Sequence, residues 1–146
     1  MSGKLILDME AMEEDFFSDC ALIGIVSALP AYKLCWKLNN TLDTNFVREP
    51  ELDILVQKNK TNQHYFPIYQ YAIPLSGCRH LMYKLKSDKE ALLPEVKQLD
   101  YLWMIQSSTA EHEAHIAAQQ LRDIPDIQLA QIIDIDKLKN LSNLLV

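Results

Sequence analysis

The chain has 146 residues, of which 49% are hydrophobic and 23% are charged, and its formal net charge is −6. A chain of this size buries enough surface to fold without disulfides or metals, so we predict one globular domain over residues 1–146. Sequence-independent binding to nucleic acid depends on lysine and arginine contacts to phosphates, which a negative net charge opposes. We therefore expect no nucleic-acid partner.

Two features of the sequence predict a cytoplasmic location. The three cysteines are widely spaced and odd in number, which is typical of reduced thiols rather than of a disulfide framework. Only three apolar residues follow Lys4 before Asp8, too few for a signal peptide. The longest nearly apolar run, residues 20–30, has about half the length of a membrane span, so we expect no membrane partner.

The first third of the chain predicts a strand followed by a helix. Residues 4–9 are a candidate short strand, and residues 10–19 are either a helical turn or a loop. Residues 20–26 are apolar and rich in β-branched side chains, which is typical of a strand buried on both faces. Pro30 then marks a helix start. The apolar residues that follow it at helical spacing are Ala31, Leu34, Cys35, Leu38 and Leu42.

Tyr32 and Trp36 lie four residues apart on this helix but about 100° or more away from the centre of its apolar stripe. They therefore form a second, aromatic edge. Aromatic side chains outside a core stripe often anchor protein partners, so this edge is a candidate surface for a homodimer or for an unidentified protein or small-molecule partner. The alternative is that both side chains cover a sheet edge or pack on the amino-terminal segment.

The middle of the chain changes to short strands separated by polar turns. The candidate strands are residues 51–57, 64–73 and 79–86. Pro67 interrupts the second of them, which indicates a position at the edge of a sheet. This hairpin-rich pattern favours a mainly antiparallel sheet.

The most hydrophobic strand candidate is residues 99–105, which we predict to be the central strand. Ser108 and Glu111 after it match a capping box, with Ser108 as the N-cap of a second helix. Residues 127–135 predict a further strand, and Asp136 is a candidate cap for a short last helix. Two main helices on one face of the sheet would give a two-layer α+β domain, with a ferredoxin-like variant as the nearest named arrangement.

Residues 93–101 resemble the motif of the IPExxxVDY family, a group of small bacterial proteins. Leu93 and Leu99 replace the Ile and Val of that motif. The positions that match it are Pro94, Glu95, Asp100 and Tyr101. The resemblance extends over most of the chain from about residue 21 onward. It implies a shared fold and a stand-alone cytosolic domain, and it implies no catalytic residue, cofactor or substrate.

Glu95 and Asp100 are the chemically most distinctive pair of this motif. One hypothesis is structural: Glu95 fixes the loop that enters the strand, and Asp100 binds backbone donors, Arg48, Arg79 or a nearby hydroxyl. The other is that the pair lines a pocket as acid and base or as metal ligands. Side chains five positions apart on an extended strand point to opposite faces, which disfavours the second hypothesis.

Other reactive motifs are missing from the sequence. There is no nucleophile elbow, P-loop or dinucleotide fingerprint, and residues 112–115 (His-Glu-Ala-His) are one residue short of the zinc motif H-E-x-x-H. We therefore expect no catalytic residue, metal or cofactor. The leading hypothesis is a non-enzymatic binding or protein-interaction module; the alternative is a small enzyme or metal-dependent hydrolase that uses Glu95 and Asp100.

Overall fold

The structure, a computed structural model, describes residues 11–57, 61 and 63–146. The strand predicted at residues 4–9 lies outside the described residues. Residues 11–17 form a helix, α1, where the sequence left a helical turn or a loop open.

A six-stranded antiparallel sheet forms the centre of the domain. In spatial order its strands are β10 (Ile127–Ile133), β1 (Cys20–Ser27), β9 (Tyr101–Gln106), β6 (Arg79–Lys84), β5 (Ile68–Ala72) and β2 (Val47–Arg48). Two small hairpins lie outside this sheet, β3 (Ile54–Gln57) with β4 (Gln63–Phe66) and β7 (Lys86–Ser87) with β8 (Glu90–Ala91). The central position of β9, between β1 and β6, agrees with its continuous hydrophobicity.

The two main helices, α2 (Ala31–Thr41) and α3 (Ala110–Arg122), pack on one face of this sheet. The chain runs from β1 through α2 and later into β6, and from β9 through α3 into β10. In the sheet, β9 lies beside β1, and β10 lies at the outer edge. This is the strand order of a ferredoxin-like βαββαβ unit, extended at one edge by β5 and β2. The prediction of a two-layer α+β fold is therefore confirmed.

The second face of the sheet is also buried, because irregular parts of the chain cover it. Leu22, Leu102 and Met104 point to this side and are fully buried. The segment after β10, residues 134–146, lies over them through Leu138 and Leu144. The hydroxyl of Tyr83 in β6 donates a 2.7 Å hydrogen bond to the carbonyl oxygen of Leu144. We call residues 134–146 the covering segment.

Several strand predictions have wrong boundaries: the strand predicted at residues 79–86 ends at Lys84, that at 99–105 is Tyr101–Gln106, and that at 127–135 ends at Ile133. The strand predicted at residues 51–57 begins only at Ile54, because Pro50–Leu52 forms a 3-10 turn whose proline fixes the backbone. The strand predicted at residues 64–73 is two strands in different sheets, since Pro67 cannot donate the hydrogen bond that would continue the ladder.

The predicted helix caps are also wrong. Thr109, not Ser108, is the N-cap of α3, and it makes no side-chain capping bond; its hydroxyl instead donates to Glu113 at 3.0 Å. The short last helix capped by Asp136 is replaced by two 3-10 turns, Ile135–Lys137 and Leu141–Leu144. Asp134 caps the first of them by accepting the backbone N–H of Asp136 at 3.0 Å. Each turn has only three or four residues, a length typical of 3-10 structure and too short for a stable α-helix.

The longest described helix, α3, has 13 residues. Within the part of the chain that the structure describes, no helix has the length and apolarity needed to cross a bilayer.

Candidate functional site

Glu95 lies in the 3-10 turn Pro94–Val96, which Pro94 begins. Its carboxylate accepts three hydrogen bonds from the covering segment. The backbone N–H groups of Lys139 and Asn140 donate to Oε2 at 2.6 and 2.7 Å, and the side-chain amide of Asn140 donates to Oε1 at 3.1 Å. Partial burial alone would raise the pKa of Glu95, but these bonds and its own backbone N–H outweigh it and lower the pKa below its ordinary value.

Asp100 lies just before β9, not inside a strand as predicted. Its Oδ2 accepts the backbone N–H of Ser27 at 3.0 Å, and its Oδ1 pairs with the ammonium group of Lys86 at 2.8 Å. Neither Arg48 nor Arg79 is its partner. Arg48 forms a bidentate ion pair with Asp53 instead, and Arg79 donates to Gln70.

Tyr101 completes the set of matched motif positions. It is buried, and its hydroxyl donates a 2.5 Å hydrogen bond to the carbonyl oxygen of Leu29, in the connection between β1 and α2. Asp100 binds Ser27, the last residue of β1, two residues before Leu29. Two adjacent motif residues therefore fix the point from which α2 starts.

Among the residues that the structure describes, the two motif carboxylates share no hydrogen-bond partner. Glu95 contacts the covering segment, whereas Asp100 contacts the end of β1 and the β7 strand. Both carboxylates thus bind donors that are 14 to 73 residues away in sequence. This pattern favours the structural hypothesis, in which the motif joins distant segments, over an acid–base pair in one pocket.

The structure places the two predicted interaction residues in solvent. Tyr32 is 63% exposed and Trp36 is 66% exposed, although the opposite side of α2 is buried in the core through Leu34, Cys35 and Leu38. They do not cover a sheet edge in the described part of the chain. Exposed aromatic side chains one helical turn apart are the main apolar feature of this helix surface.

A groove of about 460 Å³ runs along this side of α2. Its described lining residues are Leu29, Tyr32, Lys33, Trp36, Lys37 and Asp126. Lys33 and Lys37 form a second row beside the aromatic row, since they are also four positions apart. Lys37 has a 3.5 Å ion pair with Asp126, which reaches the groove from the loop before β10. We call this surface, with its six lining residues, the α2 face.

The prediction from sequence missed the two lysines of the α2 face, although their spacing repeats that of Tyr32 and Trp36. It also missed Leu29 and Asp126. Leu29 links the α2 face to the motif, because its carbonyl oxygen is the acceptor of the Tyr101 hydroxyl. The four-residue spacing of both rows was the signal that could have identified the two lysines. No local signal could have identified Asp126, because its ion pair with Lys37 joins residues 89 positions apart in sequence.

The thiols of the buried Cys35 and the partly buried Cys20 have raised pKa values, which is typical of unreactive cysteines. Burial raises the pKa of Cys35 to about 12, and burial together with the charge of Asp19 raises the pKa of Cys20 to about 11. Among the described residues, no three His, Cys, Asp or Glu side chains lie close enough together to hold a metal ion. His112 and His115 are exposed on α3.

Comparison of the chain with protein-family models and with curated proteins found no match. The IPExxxVDY resemblance therefore stays a prediction.

Proposed function

We propose that the chain is a non-enzymatic protein-interaction domain whose α2 face binds a protein segment that carries both apolar and acidic side chains. The observation that carries this proposal is the exposure of Tyr32 and Trp36 on a helix whose opposite side is buried in the core. Large aromatic side chains are the residues that most often dominate the free energy of protein association. A contiguous exposed apolar patch on a protein surface often marks a site of protein interaction.

The charges on the α2 face select the chemistry of the partner. Lys33 is exposed and has no carboxylate within 4.0 Å among the described residues, although the whole chain carries a net charge of −6. An acidic side chain of the partner would pair with Lys33 while an apolar one packs between Tyr32 and Trp36. Complementary charge at the rim gives such a contact its specificity.

A second copy of the chain is the other candidate occupant of the α2 face. An antiparallel pairing of two α2 helices would bring the two lysine rows together, and the like charges oppose that arrangement. We therefore favour a heterologous partner over a homodimer. We also propose that the chain does not bind nucleic acid, because the sheet face with which RNA-binding domains of similar topology bind RNA is buried here by the covering segment.

Selection from a random peptide display library tests the proposal. We expect peptides with Leu, Phe or Trp beside Asp or Glu to be enriched on the native chain and lost on the Y32A/W36A variant. Tyr65→Ala is the matched control, because Tyr65 is 55% exposed on β4, away from the α2 face. Enrichment that survives in Y32A/W36A would contradict the proposal.

Tryptophan fluorescence gives a direct measure of the same contact. Trp36 is exposed and Trp103 is 3% exposed, so collisional quenching reports mainly on Trp36. A selected peptide should protect Trp36 from quenching, and Lys33→Glu should weaken its binding while Lys97→Glu, at an exposed site elsewhere, should not. If sedimentation instead shows a dimer that Tyr32→Ala converts to a monomer, the occupant is a second copy and the heterologous proposal is wrong.

A further inference from the structure

A second cleft, separate from the α2 face, lies at the end of the sheet where β9 stops and β6 starts. Its volume is about 620 Å³, within the range of small-molecule sites. α1 and the two residues after it form one wall, the turn between β5 and β6 forms another, and Gln106 to Ser108 form the third. Three separate parts of the chain therefore meet around one open space.

The cleft contains charges of both signs that do not neutralise each other. Asp15 and Asp19 line it from the side of α1, and Arg79 lines it from β6. Within the described residues, no carboxylate oxygen lies within 4.0 Å of the guanidinium group of Arg79. Its Nε donates to Gln70 at 2.6 Å, which orients the planar group and leaves its two terminal amino groups for another acceptor.

These charges restrict the ligand by class. A free guanidinium edge matches a carboxylate in a bidentate contact. Asp15 and Asp19 would repel a phosphate or a nucleotide but would attract an ammonium group, and Arg79 would repel a polyamine. Met12 and Phe16 add an apolar wall to the same cleft. A ligand that satisfies all of these groups carries a carboxylate, an ammonium and an apolar side chain.

We propose that this cleft binds a free amino acid with an apolar side chain. The carboxylate of the ligand pairs with Arg79, its ammonium group with Asp15 or Asp19, and its side chain packs on Met12 and Phe16. This proposal is independent of the α2 face, because the two sites share no lining residue.

An NMR titration of the ¹⁵N-labelled chain with each proteinogenic amino acid, at millimolar concentration, tests the proposal. We expect one or more apolar amino acids to shift the backbone amides of Gly77, Cys78 and Ser107, which border the cleft. The N-acetylated form and the decarboxylated amine of the same amino acid should each bind about tenfold more weakly, because each lacks one charge.

Variants at the charged residues separate binding from folding. Arg79→Gln should weaken binding about tenfold or more, and Arg79→Lys should retain part of it. Lys84→Gln is the matched control, since it removes the same charge at the other end of β6. The ¹⁵N spectrum of each variant shows whether it is folded. The proposal is overturned if no amino acid shifts the cleft amides, or if the N-acetylated form binds as tightly as the free amino acid.

Discussion

Glu95 and Asn140 are joined by two hydrogen bonds to one carboxylate, from the backbone N–H of Asn140 at 2.7 Å and from its side-chain amide at 3.1 Å. With the bond from Lys139, they attach the covering segment to the turn that precedes β9. Glu95 is the motif residue that most resembles a catalytic acid, but its carboxylate already accepts hydrogen bonds from other residues of the same chain.

Replacement of Glu95 by alanine should loosen the covering segment without unfolding the sheet. The loss of charge-assisted hydrogen bonds at a partly exposed site should lower the free energy of unfolding by about 1–2 kcal/mol. Hydrogen exchange should speed up at Lys139 and Asn140 and stay unchanged in β1. Glu51→Ala, at an exposed glutamate, is the control, and equal exchange in both variants would contradict the assigned role.

The same carboxylate predicts a pH dependence of defined sign. The pKa of Glu95 is lower in the folded state than its ordinary value of 4.5, so its contribution to stability is present above that value and is lost as the pH falls through the folded-state pKa. In acid, the covering segment of the native chain should therefore lose protection from hydrogen exchange. The Glu95→Gln variant should lack this protection already at neutral pH. An identical acid response of both proteins would contradict this prediction.

Replacement of Tyr101 by phenylalanine should alter the α2 face through Leu29, which lines that face and binds the Tyr101 hydroxyl. It removes the donor to the Leu29 carbonyl oxygen and should lower the free energy of unfolding by about 1 kcal/mol. Because Leu29 lines the same groove as Trp36, the emission of Trp36 should change while the far-UV circular dichroism does not. Tyr69→Phe is the control, since no hydrogen bond of its hydroxyl is found in the described part of the chain. Unchanged fluorescence emission of Trp36 in Tyr101→Phe would contradict the link between the motif and the α2 face.

His80 makes stability depend on pH in the mildly acidic range. It is 4% exposed, its Nδ1 accepts the indole N–H of Trp103 at 3.0 Å, and its ring stacks on Tyr71. Burial lowers its pKa from 6.5 to about 4, against the opposing charge of Glu113. The unfolded state therefore binds more protons between these values, and the free energy of unfolding should fall by up to ~3 kcal/mol as the pH drops through that window.

Urea unfolding at neutral and mildly acidic pH measures this effect of His80. Asparagine at this position keeps an acceptor for Trp103 but cannot be protonated, so His80→Asn should flatten the pH profile even if it lowers stability overall. His112→Asn, at an exposed histidine, should leave the profile unchanged. Parallel profiles for His80→Asn and the native chain would show that the buried imidazole is not the titrating group.

Gly24 in β1 should not tolerate a larger residue. A Cβ atom at this position would lie 2.5 Å from Cδ1 of Leu99 and 3.0 Å from Cδ1 of Ile133. Gly24→Ala should therefore cost about 1–3 kcal/mol through overpacking. Leu99→Ala should recover part of that loss in the double variant, which a double-mutant cycle of unfolding free energies measures. Strict additivity would mean that Leu99 is not the residue that fills the space above Gly24.

Local patterns in the sequence were sufficient to predict β1 and the buried stripe of α2. Each of these depends on the spacing of apolar residues within one element, which the sequence displays directly. The exposure of Tyr32 and Trp36 follows from the same spacing. The burial of both faces of β1 also follows from its unbroken apolar run.

The partners of the motif could not be predicted in the same way. The sequence indicated that Glu95 and Asp100 would bind backbone donors, but those donors, Asn140 and Ser27, lie 45 and 73 residues away. Long-range contacts of this kind have no periodic signature. The N-cap of α3 was misplaced by one residue: a turn precedes the helix, in which the hydroxyl of Ser107 accepts the backbone N–H of Thr109 and its carbonyl oxygen accepts that of Ala110.

The covering segment has a consequence for the order in which the chain folds during synthesis. β10 and residues 134–146 are made after all the strands on which they pack, so the nascent sheet has one exposed apolar face until the ribosome has passed them. The part of the core on this face can therefore be completed only after residues 134–146 have been synthesised. During that interval Leu22, Leu102 and Met104 are open to aggregation or to a chaperone, and Glu95 is already in place to receive the segment that covers them.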